Sequence, residues 1–329
     1  MKEYCKEMNE KGVKTGLLPA NSKISVLFAA KKIFKYLKEN QIKVIHSHLF
    51  SADLIAVIIK KLYFKKLVIL STKHGYQETF LLQYGMGRRK IRYNPYYFIS
   101  KAVITNIDHN ITVSKTLSDL YQFLKIGKTN MKAISHGINP VLPQKHKELE
   151  GTPKIITVGR LSEIKGHAYL FKAMPEIILK FPELKLYILG VGPFKEKLQN
   201  LAKDLNILNH IEFVGFANPA EYIPDCHVMV LPTFFESFGL VFTESFALKI
   251  PVITFDTEAG NQIIDNNETG ILVGKENITE LTEKIIFLLQ SPEERERISE
   301  NAYKAFKKYY NAERMAKETA EWYHSVLTS

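Results

Sequence analysis

Short apolar runs alternate with amphipathic helical stretches along this chain, stop once near the middle, and then resume, and this double alternation restricts the fold to α/β units on parallel sheets. In the first half, apolar residues at helical spacing over Val26 to Glu39 lead into the short strand KVIHS from Lys43 to Ser47. Strands at Leu67 to Ser71, His109 to Val113 and Met131 to Ile134 follow, with helices at Ala52 to Leu62 and Lys115 to Leu124. From Asn139 to Pro153 the period lapses into NPVLPQKHKELEGTP, a linker by composition. The alternation then restarts: KIITVG, a helix from His167, KLYILG, a helix from Phe194, HIEFVG, VMVLP, a helix around Leu240 to Leu248, and PVITF. From Ile278 the chain reads as helix almost to its end, with Pro292 at a helix start. The last helix, Ala312 to Leu327, places Met315, Thr319, Trp322, Tyr323 and Val326 on one side, a face that must be buried.

Two domains fit the length of 329 residues, and the charge divides with them. Residues 1–150 hold 26 Lys and Arg against 10 Asp and Glu, whereas residues 151–329 hold 19 against 24. A basic first half suits an anionic partner. Nucleic acid is set aside because no recognisable binding module is present. Two basic stretches interleaved with aromatic residues, KKLYFKK from Lys60 to Lys66 and GMGRRKIRYNPYYF from Gly85 to Phe98, point to an anionic membrane surface. No apolar run reaches the roughly 18 residues that a membrane span needs. The two cysteines, Cys5 and Cys226, are far apart and form no zinc or redox motif. The expected location is the cytoplasm, peripheral on the inner face of the plasma membrane.

Three loops carry the chemistry. TVGRLSEIKG runs from a strand through Arg160 and Lys165 to a helix, an arrangement suited to a diphosphate: the arginine forks onto oxygens and the lysine supplies a point charge. LGVGP brings Gly190 and Gly192 to the end of the next strand. In PTFFESFGLVFTESF, Glu236 precedes a helix and Glu244 lies on it, with Gly239 allowing close backbone approach to a ligand. Glutamates at such positions also serve as caps or solvated side chains, and two cations beside a strand also occur as ordinary surface charges.

The spacing from Glu236 to Glu244 resembles the E-x7-E motif of the retaining GT-B glycosyltransferases of family 4, also called glycosyl transferases group 1. TVGRLSEIKG and LGVGP are similar to that family's G-R-x4-K-G segment and glycine loop. HSHLFSADLIA, STKHGY, ITVSKTLSDLYQFLKIG and ISHGINP resemble its first-domain signatures. The resemblance implies two Rossmann-like, doubly wound parallel-sheet domains: an acceptor-side domain over 1–145, a nucleotide-sugar-binding domain over 151–305, and a C-terminal helix over 306–329 returning to the first. It further implies that Arg160 and Lys165 neutralise the departing pyrophosphate, with Gly159, Gly190 and Gly192 shaping its loops. Glu244 would hold the ribose hydroxyls. Glu236, with Ser237 and backbone amides at Phe238, Gly239 and Leu240, would bind the transferred sugar. Gly215 and Phe216 would touch the base, and His74 would point at the sugar from the first domain.

The implied donor is a nucleotide-diphosphate sugar, UDP favoured over GDP, acting without cofactor or metal. The acceptor would be a glycan or a lipid-linked molecule. His46 and His48 form an H-x-H on a strand that supplies no third metal ligand, and are expected to be strand-end residues contacting acceptor. His136 replaces the family's usual asparagine at a hinge turn. Two rival functions are a sugar-nucleotide epimerase of similar fold, disfavoured by the R-x4-K and E-x7-E pair, and a non-catalytic nucleotide-sugar-binding or partner subunit. The start of the chain departs from the family: EYCKEMNEKGVKTGLLP resembles only the end of its first helix and its second strand, so the expectation is either that the first strand and glycine loop lie upstream of Met1 or that this chain folds poorly and transfers sugar weakly or not at all.

Overall fold

A computed structural model of the chain describes residues 2–18, 23–76, 95–127, 131–139 and 151–328. The described residues form two compact units, one of 2–18, 23–74, 95–111, 121–127 and 131–132, the other of 75–76, 112–120, 133–139 and 151–328. Most of the expected linker, and residues 85–94 of the second basic stretch, lie outside the described residues.

The first unit opens with helices α1 (Lys2–Glu10) and α2 (Lys23–Glu39). Strand β1 (Val44–His48), helix α3 (Phe50–Leu62), β2 (Val68–Lys73) and α4 (Pro95–Ile104) follow, and then β3 (His109–Thr112), α5 (Lys115–Leu124) and β4 (Met131–Ala133), of which residues 112, 115–120 and 133 count with the second unit. The sheet order is β1-β2-β3-β4, with β1 and β2 parallel and Val44 beside Val68. Ala30, Leu37, Ile59, Leu67 and Ile69 form its core.

A buried ion pair lies within this apolar setting. Asp53 at the start of α3 is 1% exposed, and its Oδ1 accepts hydrogen bonds from Ser47 Oγ and Ser71 Oγ, both 2.6 Å. Its Oδ2 meets Lys73 Nζ at 2.6 Å. The carboxylate therefore ties α3 to β1 and β2 at once, with hydrogen bonds compensating its removal from water.

Residues 13–18, expected to be a strand, are irregular. A strand needs a ladder partner, and among the described residues no strand pairs with this stretch or with the outer edge of β1.

The second unit contains β5 (Lys154–Val158), α6 (His167–Lys180), β6 (Lys185–Leu189), α7 (Lys195–Asp204), β7 (Ile211–Gly215) and β8 (Val228–Val230). It continues with α8 (Leu240–Ala247), β9 (Val252–Phe255), α9 (Glu258–Ile263), β10 (Ile271–Val273), α10 (Ile278–Gln290), α11 (Pro292–Ala305) and α12 (Ala312–Leu327). Its six strands run in the order β10-β9-β8-β5-β6-β7, all paired in parallel. The strand sequences IITV, VMV, VITF and ILV are apolar because helices cover both faces of such a sheet. Order reverses between β5 and β8, and a doubly wound sheet opens a crevice at the carboxyl ends of its strands at such a point.

The helix starts follow local chemistry. Pro292 occupies the first turn of α11, and Asn311 caps α12 by accepting from Arg314 N at 2.8 Å. Helix α12 buries Trp322 and lies against 135–138, where Arg314 Nη2 donates to the Ser135 carbonyl at 2.6 Å. Ile138 and Asn311 form a β-bridge.

Helices α4 and α9 and strand β10 are absent from the sequence reading for identifiable reasons. In α4 the buried Tyr97, Ser100, Val103 and Ile104 alternate with exposed Phe98 and Ile99, which blurs the period. The other two span six and three residues, too short to show one.

Candidate active site

The site is built where β5 and β6 end. Beyond the strands their backbones remain in register: Gly159 N–H donates to the Leu189 carbonyl at 2.9 Å and Leu161 N–H to the Val191 carbonyl at 3.1 Å. Such closeness excludes side chains. A Cβ on Gly190, whose φ is 146°, would lie 1.9 Å from the Gly159 oxygen, and one on Gly192 would lie 2.2 Å from the Leu161 oxygen. Gly190 N–H also donates to the Gly215 carbonyl at 2.7 Å, so Gly159, Gly190, Gly192 and Gly215 are one connected set of loops. Arg160 projects from it with an exposed side chain.

The chain next makes a 3-10 turn over Glu163–Lys165 and enters α6 through Gly166 at φ 67°. A Cβ at Gly166 would sit 1.9 Å from the Pro232 oxygen, so glycine is what lets this turn press on the segment after β8. Phe234 N–H donates to the Ile164 carbonyl at 2.8 Å, locking the two segments together. Lys165 is thereby buried to 6% exposure, and its Nζ meets Glu236 Oε1 at 2.6 Å. The sequence assigned these two groups to separate parts of a ligand; the structure pairs them.

After Glu236, the Ser237 carbonyl accepts from Ser114 Oγ at 2.7 Å. Phe238 is buried between the ring of His136, 5.4 Å away edge-on, and that of Tyr310 at 5.9 Å. His136 thus supports this loop as well as occupying a turn. Gly239, at φ 92°, precedes α8 without a side-chain cap, leaving the helix's first amides, near the 40%-exposed Leu240, without a capping side chain.

Glu244, one turn further, lines a separate cavity of about 380 Å³ with Ile138, Asn218, Pro219 and Leu248. Burial raises its pKa above the ordinary carboxylate value. Phe216 is 91% exposed beyond Gly215. Among the described residues, no three His, Cys, Asp or Glu side chains gather where they could hold a metal ion.

The model of the glycosyl transferases group 1 matches residues 139–305, and that of Glycosyltransferase Family 4 matches residues 6–142. The chain belongs to this glycosyltransferase family. An uncharacterized glycosyltransferase of Methanocaldococcus jannaschii is 31% identical over 297 residues, covering 87% of this chain and 77% of its own length. One from Haemophilus influenzae is 29% identical over 229 residues, or 69% of this chain; the chain spans only 63% of that relative. Among solved structures, Anabaena Alr3699/HepE in complex with UDP and glucose superposes with a TM-score of 0.80 at 14% identity, covering 98% of this chain and 89% of that one. That likeness establishes the GT-B fold of two parallel-sheet α/β domains.

In the first unit, His74, expected from the resemblance to point at the sugar, follows β2 and is half-buried. Its Nε2 lies 2.8 Å from His48 Nδ1. The His48 ring packs 4.5 Å from that of His46, whose Nε2 is 2.8 Å from Thr72 Oγ1. Burial lowers all three histidine pKa values, that of His46 to about 4. At neutral pH the cluster is uncharged. Sequence reasoning missed the Asp53 network, Ser114 and Tyr310. Only the alternation HSH on β1 hinted at the first of these surroundings, because it puts Ser47 on the face opposite both histidines.

Proposed function

We propose that the protein transfers a sugar from a nucleoside-diphosphate donor to a hydroxyl acceptor with retention at the anomeric carbon, and that the donor binds at the β5, β6 and β8 loop ends of the second unit. The observation that carries this reading is the connected loop set that carries Arg160 and sets Lys165 against Glu236, three residues before the uncapped start of α8. Cations and backbone amides there stabilise the negative charge that develops on the pyrophosphate as the bond from the anomeric carbon to its oxygen breaks. The acceptor oxygen bonds to that carbon on the same face, and its proton passes to the departing phosphate.

Glu244, in its cavity beside Asn218, is assigned to the ribose hydroxyls, and Gly215 and Phe216 to the base. Glu236, Ser237 and the amides of Phe238, Gly239 and Leu240 are assigned to the transferred sugar, as is His74. A UDP donor is favoured because Anabaena Alr3699/HepE, of the same fold, binds UDP and UDP-glucose. Mass spectrometry of nucleotide released from the purified protein, followed by NMR of the anomeric configuration of the first product, tests the proposal. An inverted product removes the retaining mechanism, and a protein that hydrolyses no nucleotide sugar supports a binding subunit instead.

The acceptor is proposed to be lipid-linked, reached from an anionic membrane. Exposed Lys61, Lys65 and Lys66 flank Leu62 and Tyr63, which are 64% and 40% exposed, and α4 adds Phe98 and Ile99. Lys60 is withdrawn into an ion pair with Asp108. Each exposed cation near anionic lipid contributes about 1 kcal/mol. Sedimentation with anionic but not neutral vesicles, reversed by salt, is the expected result; equal binding to both removes the idea.

A further inference from the structure

We infer that a second ligand site, for a neutral saccharide, lies in the second unit between the start of α6, the segment after β8 and the turn that joins β10 to α10. The inference is independent of the donor reading. A cavity of about 880 Å³ opens there, within the range of about 300–1,000 Å³ of small-molecule sites and more than twice the volume of the one beside Glu244. None of Arg160, Lys165, Glu236 or Glu244 lines it, although Ser162, Glu163 and Ile164, from the turn between the first two, do.

Tyr169, Phe194, Phe234 and Phe235 supply half-buried rings to its walls. Tyr169 and Phe234 meet edge-on at 5.5 Å, and each meets the fully buried Phe255 edge-on, at 5.5 and 5.4 Å. The core therefore fixes these two rings before anything binds. A fixed ring that remains partly in water can cover the C–H face of a pyranose with little further loss of side-chain freedom.

The polar side chains around these rings carry both signs. Exposed Glu163 and Lys172 come from the turn before α6 and from α6 itself, and exposed Lys275 and Glu276 from the turn after β10. That turn is closed by Asn277 N–H donating to the Gly274 carbonyl at 3.0 Å and by Gly274 N–H donating to Glu280 Oε2 at 2.7 Å. Lys172 Nζ lies 5.5 Å from the centre of the Tyr169 ring and Lys275 Nζ 5.1 Å from that of Phe234. Burial, and then the Glu276 carboxylate beside it, raises the pKa of the Tyr169 phenol. Charged groups of both signs thus stand next to the rings that a sugar would cover.

This combination selects the ligand class. Two carboxylates against two ammonium groups leave the rim without net charge, so a phosphate or a nucleotide would meet as much repulsion as attraction. An apolar ligand would strip water from the same four charges without replacing its hydrogen bonds. Sugar hydroxyls both donate and accept, so they can bond to carboxylate and ammonium alike, each bond strengthened by the charge of one partner.

The test titrates the full chain with maltose, lactose and N,N′-diacetylchitobiose and follows saturation transfer to the sugar protons by NMR, with and without UDP. At least one of the three should bind, take up saturation mostly at its ring C–H protons, and stay bound when UDP is added. E276Q and K172A, which alter exposed groups on two different elements, should each weaken that sugar about tenfold and leave UDP affinity unchanged. Circular dichroism checks that both variants are folded, and if one is not, the other decides. No saturation of any of the three sugars overturns the inference, as does displacement of the bound sugar by UDP or by inorganic phosphate, or an unchanged sugar affinity in the folded variants. A wild-type chain that fails to bind UDP removes instead the proposed donor site, because sugar binding without UDP is read separately.

Discussion

Lys165 and Glu236 neutralise each other at 2.6 Å with side chains 8% and 13% exposed, so under the proposed function a donor pyrophosphate would have to compete with a carboxylate for the lysine. Breaking a buried pair from one side strands the other charge, at a cost of about 3 kcal/mol. Denaturant unfolding should show E236Q and K165M each destabilised by roughly that amount, with the double mutant well short of the sum. The roles should separate in kinetics. E236Q frees the ammonium and should bind UDP at least as tightly as wild type while turning over about a hundredfold more slowly; R160A and K165M should lose UDP affinity as well. Weaker UDP binding by E236Q contradicts the competition.

The glycines at the ends of β5 and β6 make a second prediction. Gly190 combines φ 146° with a Cβ position 1.9 Å from the Gly159 oxygen, so G190A must push apart the loop that carries Arg160. It should cost more than about 1 kcal/mol of stability and weaken UDP binding together. G151A offers a control that is also at positive φ, 90°, with no atom within 4 Å of its Cβ. Equal UDP affinity in G190A and wild type shows that the loop does not touch the phosphates.

The sheets were legible in the sequence because parallel strands buried on both faces must be apolar, and VITF or IITV leave little alternative. The glycine loops were legible as letters, while their reason lay in a close approach between Gly190 and Gly159 that no local pattern encodes. The Lys165–Glu236 pair joins positions 71 residues apart, and the His48–His74 pair joins positions 26 apart. Both depend on which strands become neighbours. His136 was visible only as a departure at a turn, since its contact with Phe238 arises from the return of the chain. Helix α4 escaped because its outward face carries Phe98 and Ile99, which mimic a core face in one dimension.

Acid stability should depend on His167. Its ring is 2% exposed with both nitrogens unpartnered, and burial, aided by the charge of Lys165, lowers its pKa to about 4. The unfolded chain, with the ordinary value of 6.5, binds the proton more readily. Stability is therefore fully present above pH 6.5 and lost as pH falls toward 4, by up to about 3 kcal/mol. H167F removes no hydrogen bond and should match or exceed wild type at neutral pH, with a flatter decline in acid. Thermal melts from neutral pH down to 4 in both proteins decide this, and identical slopes refute it.

Glu244 titrates with the opposite sign. Burial raises its folded pKa above 4.5, so the folded protein holds the proton more tightly than the unfolded chain does. Its stabilising share is complete below that value and is lost as pH rises through the folded pKa, leaving a buried carboxylate unfavourable at neutral pH. E244Q should therefore melt higher than wild type near pH 7, and the difference should close in acid. Donor binding should move the other way. The ionised carboxylate accepts from the ribose hydroxyls in charge-assisted bonds that the acid form lacks, so calorimetry should show wild-type affinity for UDP falling as pH drops toward 4.5. E244Q should bind UDP about tenfold more weakly near pH 7, with less dependence on pH. An E244Q protein that gains stability and keeps full UDP affinity would show that the cavity beside Asn218 holds no ribose, and that burial of the carboxylate serves something other than the donor.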